Sequence, residues 1–164
     1  MEYVRDRITN IPFSLHDSRI RHIKIMGDSL IFTIDRIFQY VNDEEKWYPC
    51  EIEFTKTDLD ACCILIFAHP YGYEGVNTFT GKELSIDQFC KEYPNAEFEI
   101  ITETYCGYDT VFQGTVWNEY KDFRAIISIW NMGDMIYRLE GIAKKRNRIN
   151  GEDTHDRIQT DDNG

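Results

Sequence analysis

Apolar residues recur along most of the chain at every second position, the period of a β-strand with one buried and one wet face. Residues 20–26 read as a strand. Gly27-Asp28-Ser29 then has the turn chemistry of a hairpin, sending the chain back through Leu30, Phe32 and Ile34 and on past Phe38, Tyr40 and Val41. Residues 42–46 (NDEEK) have no apolar period and predict a solvated loop, with strand resuming at Trp47. Cys50, Ile52 and Phe54 alternate with Glu51 and Glu53, again a half-wet strand. Residues 61–68 (ACCILIFA) are apolar on both faces, which predicts a central strand covered on both sides and anchoring the core.

One helix is predicted. Ser85 is suited to cap the free amides of residues 86–92, Ile86, Phe89 and Cys90 share a face that would pack on the sheet, and Pro94 forbids continuation. Asp87 near the start and Lys91 near the end suit the helix dipole. After it come three or four more strands, over residues 98–105, 110–118, 125–131 and 135–140. The short connections between them favour antiparallel neighbours and so a meander. The predicted class is α+β, mainly β: an antiparallel meander sheet or partly open barrel with one short helix packed on it. Residues 1–141 form a single domain on this reading, and 142–164, almost devoid of apolar residues, form a flexible polar tail.

Composition supports this and narrows the partners. Aromatic residues make up 14% of the 164 residues, a bias toward strands. The net charge of −11 repels phosphate backbones and anionic lipid, so nucleic acid and membrane are excluded as partners and a basic protein is favoured. Five basic and five acidic residues in 142–164 cancel, which places the whole excess on 1–141. The opening MEYVRDRITN has no apolar signal segment and no apolar run is long enough to span a bilayer, so a cytoplasmic location is expected. The five cysteines, Cys50, Cys62, Cys63, Cys90 and Cys106, lack CxxC spacing and read as small buried hydrophobes.

Chemical motifs are scarce. Gly75 to Glu83 superficially resembles a phosphate-binding loop, but five residues separate Gly75 from Gly81, and Glu83 follows Lys82 where a hydroxyl belongs. His16-Asp17 lacks the further ligands a metal site needs and suits a turn before the first strand. Cys106 with His69 has no local context of a nucleophile and base. These observations call for no cofactor, no metal and no catalytic residue. The sharper feature is a row of carboxylates: Glu97, Glu99 and Glu103 are expected on one strand face with Ile101 and Tyr105. Together with Tyr108, Trp117 and Trp130 they would make an acidic, aromatic patch for a basic partner.

The segment Ile11-Pro12-Phe13-Ser14-Leu15-His16-Asp17-Ser18-Arg19-Ile20, followed by the Gly27-Asp28 turn and Leu30-Ile31-Phe32-Thr33-Ile34, covers about the first fifth of the chain. It resembles the start of small bacterial β-rich families that include immunity proteins of polymorphic toxin systems. The resemblance implies a non-enzymatic binding protein and assigns no active residues. The function expected is therefore a protein-binding module, of the immunity-inhibitor type, using Glu97, Glu99, Glu103, Tyr105, Tyr108 and Trp117 against a basic partner. Two alternatives stand beside it: a small-molecule-binding or hydrolytic β-domain with a cleft near residues 70–81, and a structural subunit of a homo-oligomer.

Overall fold

The structure is a computed structural model that describes residues 1–7, 11–42, 44–67, 81–119 and 121–141, together with the backbone of 144–145. The elements in chain order are β1 (Glu2–Val4), β2 (Ser18–Met26), β3 (Ser29–Val41), β4 (Glu44–Phe54), a 3-10 turn (Leu59–Ala61), β5 (Cys63–Phe67), β6 (Gly81–Leu84), α1 (Ile86–Glu92), β7 (Glu97–Cys106), β8 (Asp109–Trp117), β9 (Phe123–Trp130), β10 (Met135–Leu139) and β11 (Lys144–Lys145). All strands join one antiparallel sheet in the order β1-β10-β4-β3-β2-β7-β8-β9-β5-β6, with β11 also beside β4. The predicted class, mainly β with one short helix, is the observed one.

The alternation seen in the sequence becomes the inner face. Leu30, Phe32 and Ile34 of β3, Cys50, Ile52 and Phe54 of β4, Phe112 of β8, and Met135 and Tyr137 of β10 are all buried. The sheet is strongly curled. β3 and β8 lie three places apart in the order, yet the Phe32 and Phe112 rings are 6.3 Å apart and Phe54 and Phe112 6.4 Å. Bulges in β2 (between Ile20 and His22), β3 (between Ile34 and Ile37) and β7 (between Ile100 and Thr102) supply the extra bend. Residues 13–17 thread between the curled halves. Ser14 exchanges backbone hydrogen bonds with Phe38, Asp17 N–H donates to the Ile100 carbonyl at 2.8 Å, and Phe13 and Leu15 are buried. The His16-Asp17 pair of the N-terminal segment points outward, and Asp17 takes the left-handed backbone (φ 63) of a turn.

The helix forms as its sequence requires. Gln88 N–H donates to Ser85 Oγ at 3.2 Å and Ser85 N–H to Gln88 Oε1 at 2.9 Å, a reciprocal capping box. Ile86 and Phe89 are buried, and α1 packs on β5 and β6.

Three expectations about the elements are corrected. Residues 44–46 are not in a loop: Glu44, Glu45 and Lys46 pair with Val41, Tyr40 and Gln39, since strand pairing satisfies their backbone while their side chains stay wholly or partly exposed. The described part of the apolar segment expected at 61–68 is not central: β5 lies between β9 and β6, next to the end of the sheet order, with Ile64 and Ile66 buried and Cys63, Leu65 and Phe67 only half-buried. The meander ends at β9, because residues 131–134 carry the chain across the curl to pair β10 with β4 and β1. The loop at 69–75 and its cleft fall outside the described residues, as does the expected tail beyond Lys145. Lys144 and Lys145 pair with Trp47 and Lys46.

Candidate functional site

The six residues expected to share one patch occupy three places, and the bulge in β7 is the cause. Before it, Phe98 and Ile100 face the core, so Glu97 and Glu99 face outward; after it, the phase reverses and Glu103 and Tyr105 face inward. Glu97, Glu99 and Trp117 do come together on the outer face, where Trp117 Nε1–H donates to Glu99 Oε2 at 2.7 Å. They are not a bare acidic surface. Arg21 is ion-paired to Glu97, and Arg19 lies 3.4 Å from Glu97 and 3.9 Å from Glu99 with its guanidinium 5.4 Å from the Trp117 ring centroid. Asp35 continues the row toward Arg21 and Arg36. Beside the row lies an open recess of about 330 Å³ lined by Asp17, Arg19, Arg36, Phe38, Trp47 and Glu99, among others.

Glu103 and Tyr105 instead belong to an inner polar cluster. Tyr105 Oη–H donates to Glu103 Oε2 at 2.7 Å, the Leu15 amide donates to Glu103 Oε1 at 2.9 Å, and Arg5 lies 4.1 Å over the Tyr105 ring. The buried Tyr137 hydroxyl adjoins that of Tyr105. Burial first, then the neighbouring Tyr137 and Glu103, pushes the Tyr105 phenol well above its ordinary value; burial likewise pushes up Tyr137. Both phenols stay protonated, and the cluster ties residues 13–17 and Arg5 to β7 and β10.

Tyr108 sits at a third place, the end of the sheet where turns 27–28, 55–58, 107–108 and 131–134 converge. They are stitched together by backbone bonds: Thr57 N–H to the Asp28 carbonyl at 2.7 Å, Asp58 N–H to Trp130 at 3.0 Å, Asn131 N–H to Tyr108 at 3.1 Å and Met132 N–H to Lys56 at 3.0 Å. Tyr108 is 48% and Met132 61% exposed, Met26 is also exposed, and the Tyr108 ring lies 5.8 Å from that of Trp130. Around them stand Asp28, Asp58, Asp60, Asp109 and Asp134. None of these five carboxylates is ion-paired among the described residues. They also fan apart: among the described residues no three His, Cys, Asp or Glu side chains converge as metal ligands would.

These aspartates escape a reading of strand faces because each lies in or beside a turn. The signal was present in the connection pattern, since the β2–β3 and β7–β8 turns both carry Asp next to Gly or Tyr. Which end of the molecule each turn occupies is a tertiary fact.

The cysteines divide by depth. Burial pushes the Cys50 thiol up to about 12 and also raises Cys62, Cys63 and Cys90, while Cys106 is exposed. No helix among the described residues is long and apolar enough to cross a membrane. The geometry defines a class, a curled antiparallel sheet of mainly-β type with an acidic, aromatic end. Compared with protein-family models, with curated proteins and with solved structures, the chain matches none.

Proposed function

We propose that this chain is a protein-binding module that docks a basic protein through the turn-bearing end of its sheet. The observation that carries the reading is the contrast between two acidic regions. On the outer face, Glu97 and Glu99 already have arginine partners, so a partner's cations would have to displace Arg19 and Arg21. At the turn end, five aspartates without ion pairs among the described residues surround exposed Tyr108 and Met132. Exposed aromatic and methionine side chains supply apolar contact, and the carboxylates steer and select a cationic surface. An inhibitor of a basic toxin, as the N-terminal segment's likeness to immunity families suggests, is the specific form favoured. Of the residues first expected at the interface, only Tyr108 belongs to this region; Glu97, Glu99 and Trp117 lie on the outer face at the opposite end of β7 and β8, and Glu103 and Tyr105 face inward from β7.

The test compares two variants as bait. Asp58, Asp60, Asp109 and Asp134 are changed to Asn with Tyr108→Ala in one; Glu97 and Glu99 are changed to Gln in the other. Proteins retained by the wild-type chain are identified by mass spectrometry, and the affinity of the identified partner is measured at two salt concentrations. The reading expects a basic partner, lost on the first variant, kept on the second and weakened by salt. A partner retained equally by both, or one with no basic character, overturns it.

A further inference from the structure

The turn end contains a built guanidinium site that the chain fills with its own arginine. Arg7 Nη1 donates to the Gly107 carbonyl at 2.5 Å, and Nη2 donates to the Asn131 carbonyl at 2.8 Å and also to the Gly133 carbonyl. Its guanidinium carbon lies 5.0 Å from the Tyr108 ring centroid. Three carbonyl acceptors and an aromatic face match a planar, delocalised cation with donors in a fixed fork; an ammonium, a point charge with three donors, matches them less well.

The acceptors are held without help from Arg7. Asn131, 1% exposed, donates from Nδ2 to Gly133 O at 3.1 Å and Asp134 O at 3.3 Å, and its amide donates to Tyr108 O at 3.1 Å. Gly133 N–H donates to Thr55 O at 3.1 Å, and a Cβ at Gly133 would stand only 2.6 Å from that same carbonyl oxygen, so the turn is pressed against β4's end. The occupant, by contrast, arrives from a peripheral strand: β1 has three exposed residues and β10 as its strand partner, and Arg5 after it donates its N–H to Met135 O at 2.9 Å and lies over the Tyr105 ring. A rigid acceptor set with an occupant delivered on a thin edge is a site that exists apart from its ligand.

We infer that the cage of the Gly107, Asn131 and Gly133 carbonyls with Tyr108 is an arginine-binding site, occupied in cis by Arg7 and open to an arginine side chain of a partner when Arg7 leaves. The inference rests on the reading of this end as the docking region and names the partner group it would take. A cis occupant tethered by a short segment competes at an effective concentration of the order of millimolar, so the intact chain binds a trans arginine weakly.

The experiment uses the full chain carrying Arg7→Ala, with L-arginine amide and L-lysine amide at about 10 mM, above that effective concentration, as probes. The variant is expected to melt about 3 °C or more below wild type. Arginine amide is expected to recover most of that loss and lysine amide little of it, with the wild-type melting temperature moving by less than one third as much. Trp130, beside Tyr108, should change its fluorescence saturably with arginine amide in R7A and not in the R7A/Y108A double variant. An arginine-bearing peptide should bind R7A about tenfold or more tighter than wild type, the cis competitor being gone.

Equal effects of the two amides, or an arginine effect as large on wild type as on R7A, overturns the site. Should R7A fail to fold in buffer, recovery of its circular dichroism by arginine amide and not lysine amide is the supporting result, and no recovery overturns it. Rescue by arginine with no basic partner retained at the turn end leaves the cage standing and removes the docking reading. A retained partner without arginine selectivity does the reverse.

Discussion

Gly114 is where the sheet is most intolerant of a single added carbon. It pairs with Ile100 beside the β7 bulge, and a Cβ built there would fall far inside van der Waals contact distance of the Glu99 carbonyl oxygen and 2.9 Å from both Glu99 C and Phe98 Cε1. The first two are backbone atoms, so no rotamer relieves the clash; β7 and β8 must part locally. Overpacking of this kind costs about 1–3 kcal/mol, and each weakened ladder hydrogen bond adds about 1 kcal/mol, giving about 3–5 kcal/mol for Gly114→Ala. That is a large share of a domain's usual stability of about 5–15 kcal/mol. In urea, with a slope of about 2 kcal/mol/M, the midpoint followed by tryptophan fluorescence should fall by about 2 M. Gly107→Ala is the control. It has open space around its Cβ but φ of 59°, so it should cost only about 1–2 kcal/mol from the left-handed backbone. A midpoint for G114A within about 0.3 M of wild type, or one no lower than that of G107A, would refute the close approach of β7 and β8 and with it the bulge that turns Glu103 inward.

Two further outcomes follow from the core. Phe112→Ala, which removes a buried ring touching Phe32, Phe54 and Tyr105, should lower stability by about 3–5 kcal/mol, and a loss under about 1 kcal/mol in the same urea assay would mean the curled halves do not meet there. Stability should also fall in alkali: Cys50 has a folded pKa raised from 9.0 to about 12, so its contribution is fully present below pH 9 and is lost as pH rises through 12. The three-unit rise corresponds to about 4 kcal/mol, added to by Cys62, Cys90, Tyr105 and Tyr137, which shift the same way. Cys50→Ala should therefore flatten the stability profile between pH 9 and 12, and thiol labelling of the native chain at pH 8 should reach Cys106 before Cys50; the opposite labelling order would contradict the burial.

The alternation of apolar residues was enough to identify the inner face of β3 and β4, because a strand buried on one side imposes a period of two whatever it pairs with. The helix was legible to its capping residue, since Ser85, Gln88 and Pro94 act through local hydrogen bonding and sterics. Local chemistry also placed the turns at Gly27 and Gly107, both at positive φ. What the chain's pattern did not contain was the partner of each strand. β10 leaves β9 for β4, and β5 takes a position near the end of the sheet order despite its apolar run, because those choices depend on how far the whole sheet curls. The candidate site followed the same division. One bulged residue after Ile100 separated Glu103 and Tyr105 from Glu97 and Glu99, an event that period-two counting assumes away. Acidic excess and aromatic content were determined by the sequence itself; that Arg19 and Arg21 neutralise one acidic row while five aspartates without ion pairs among the described residues gather around Tyr108 was decided only by tertiary structure, since charges distant along the chain interact according to their separation in space.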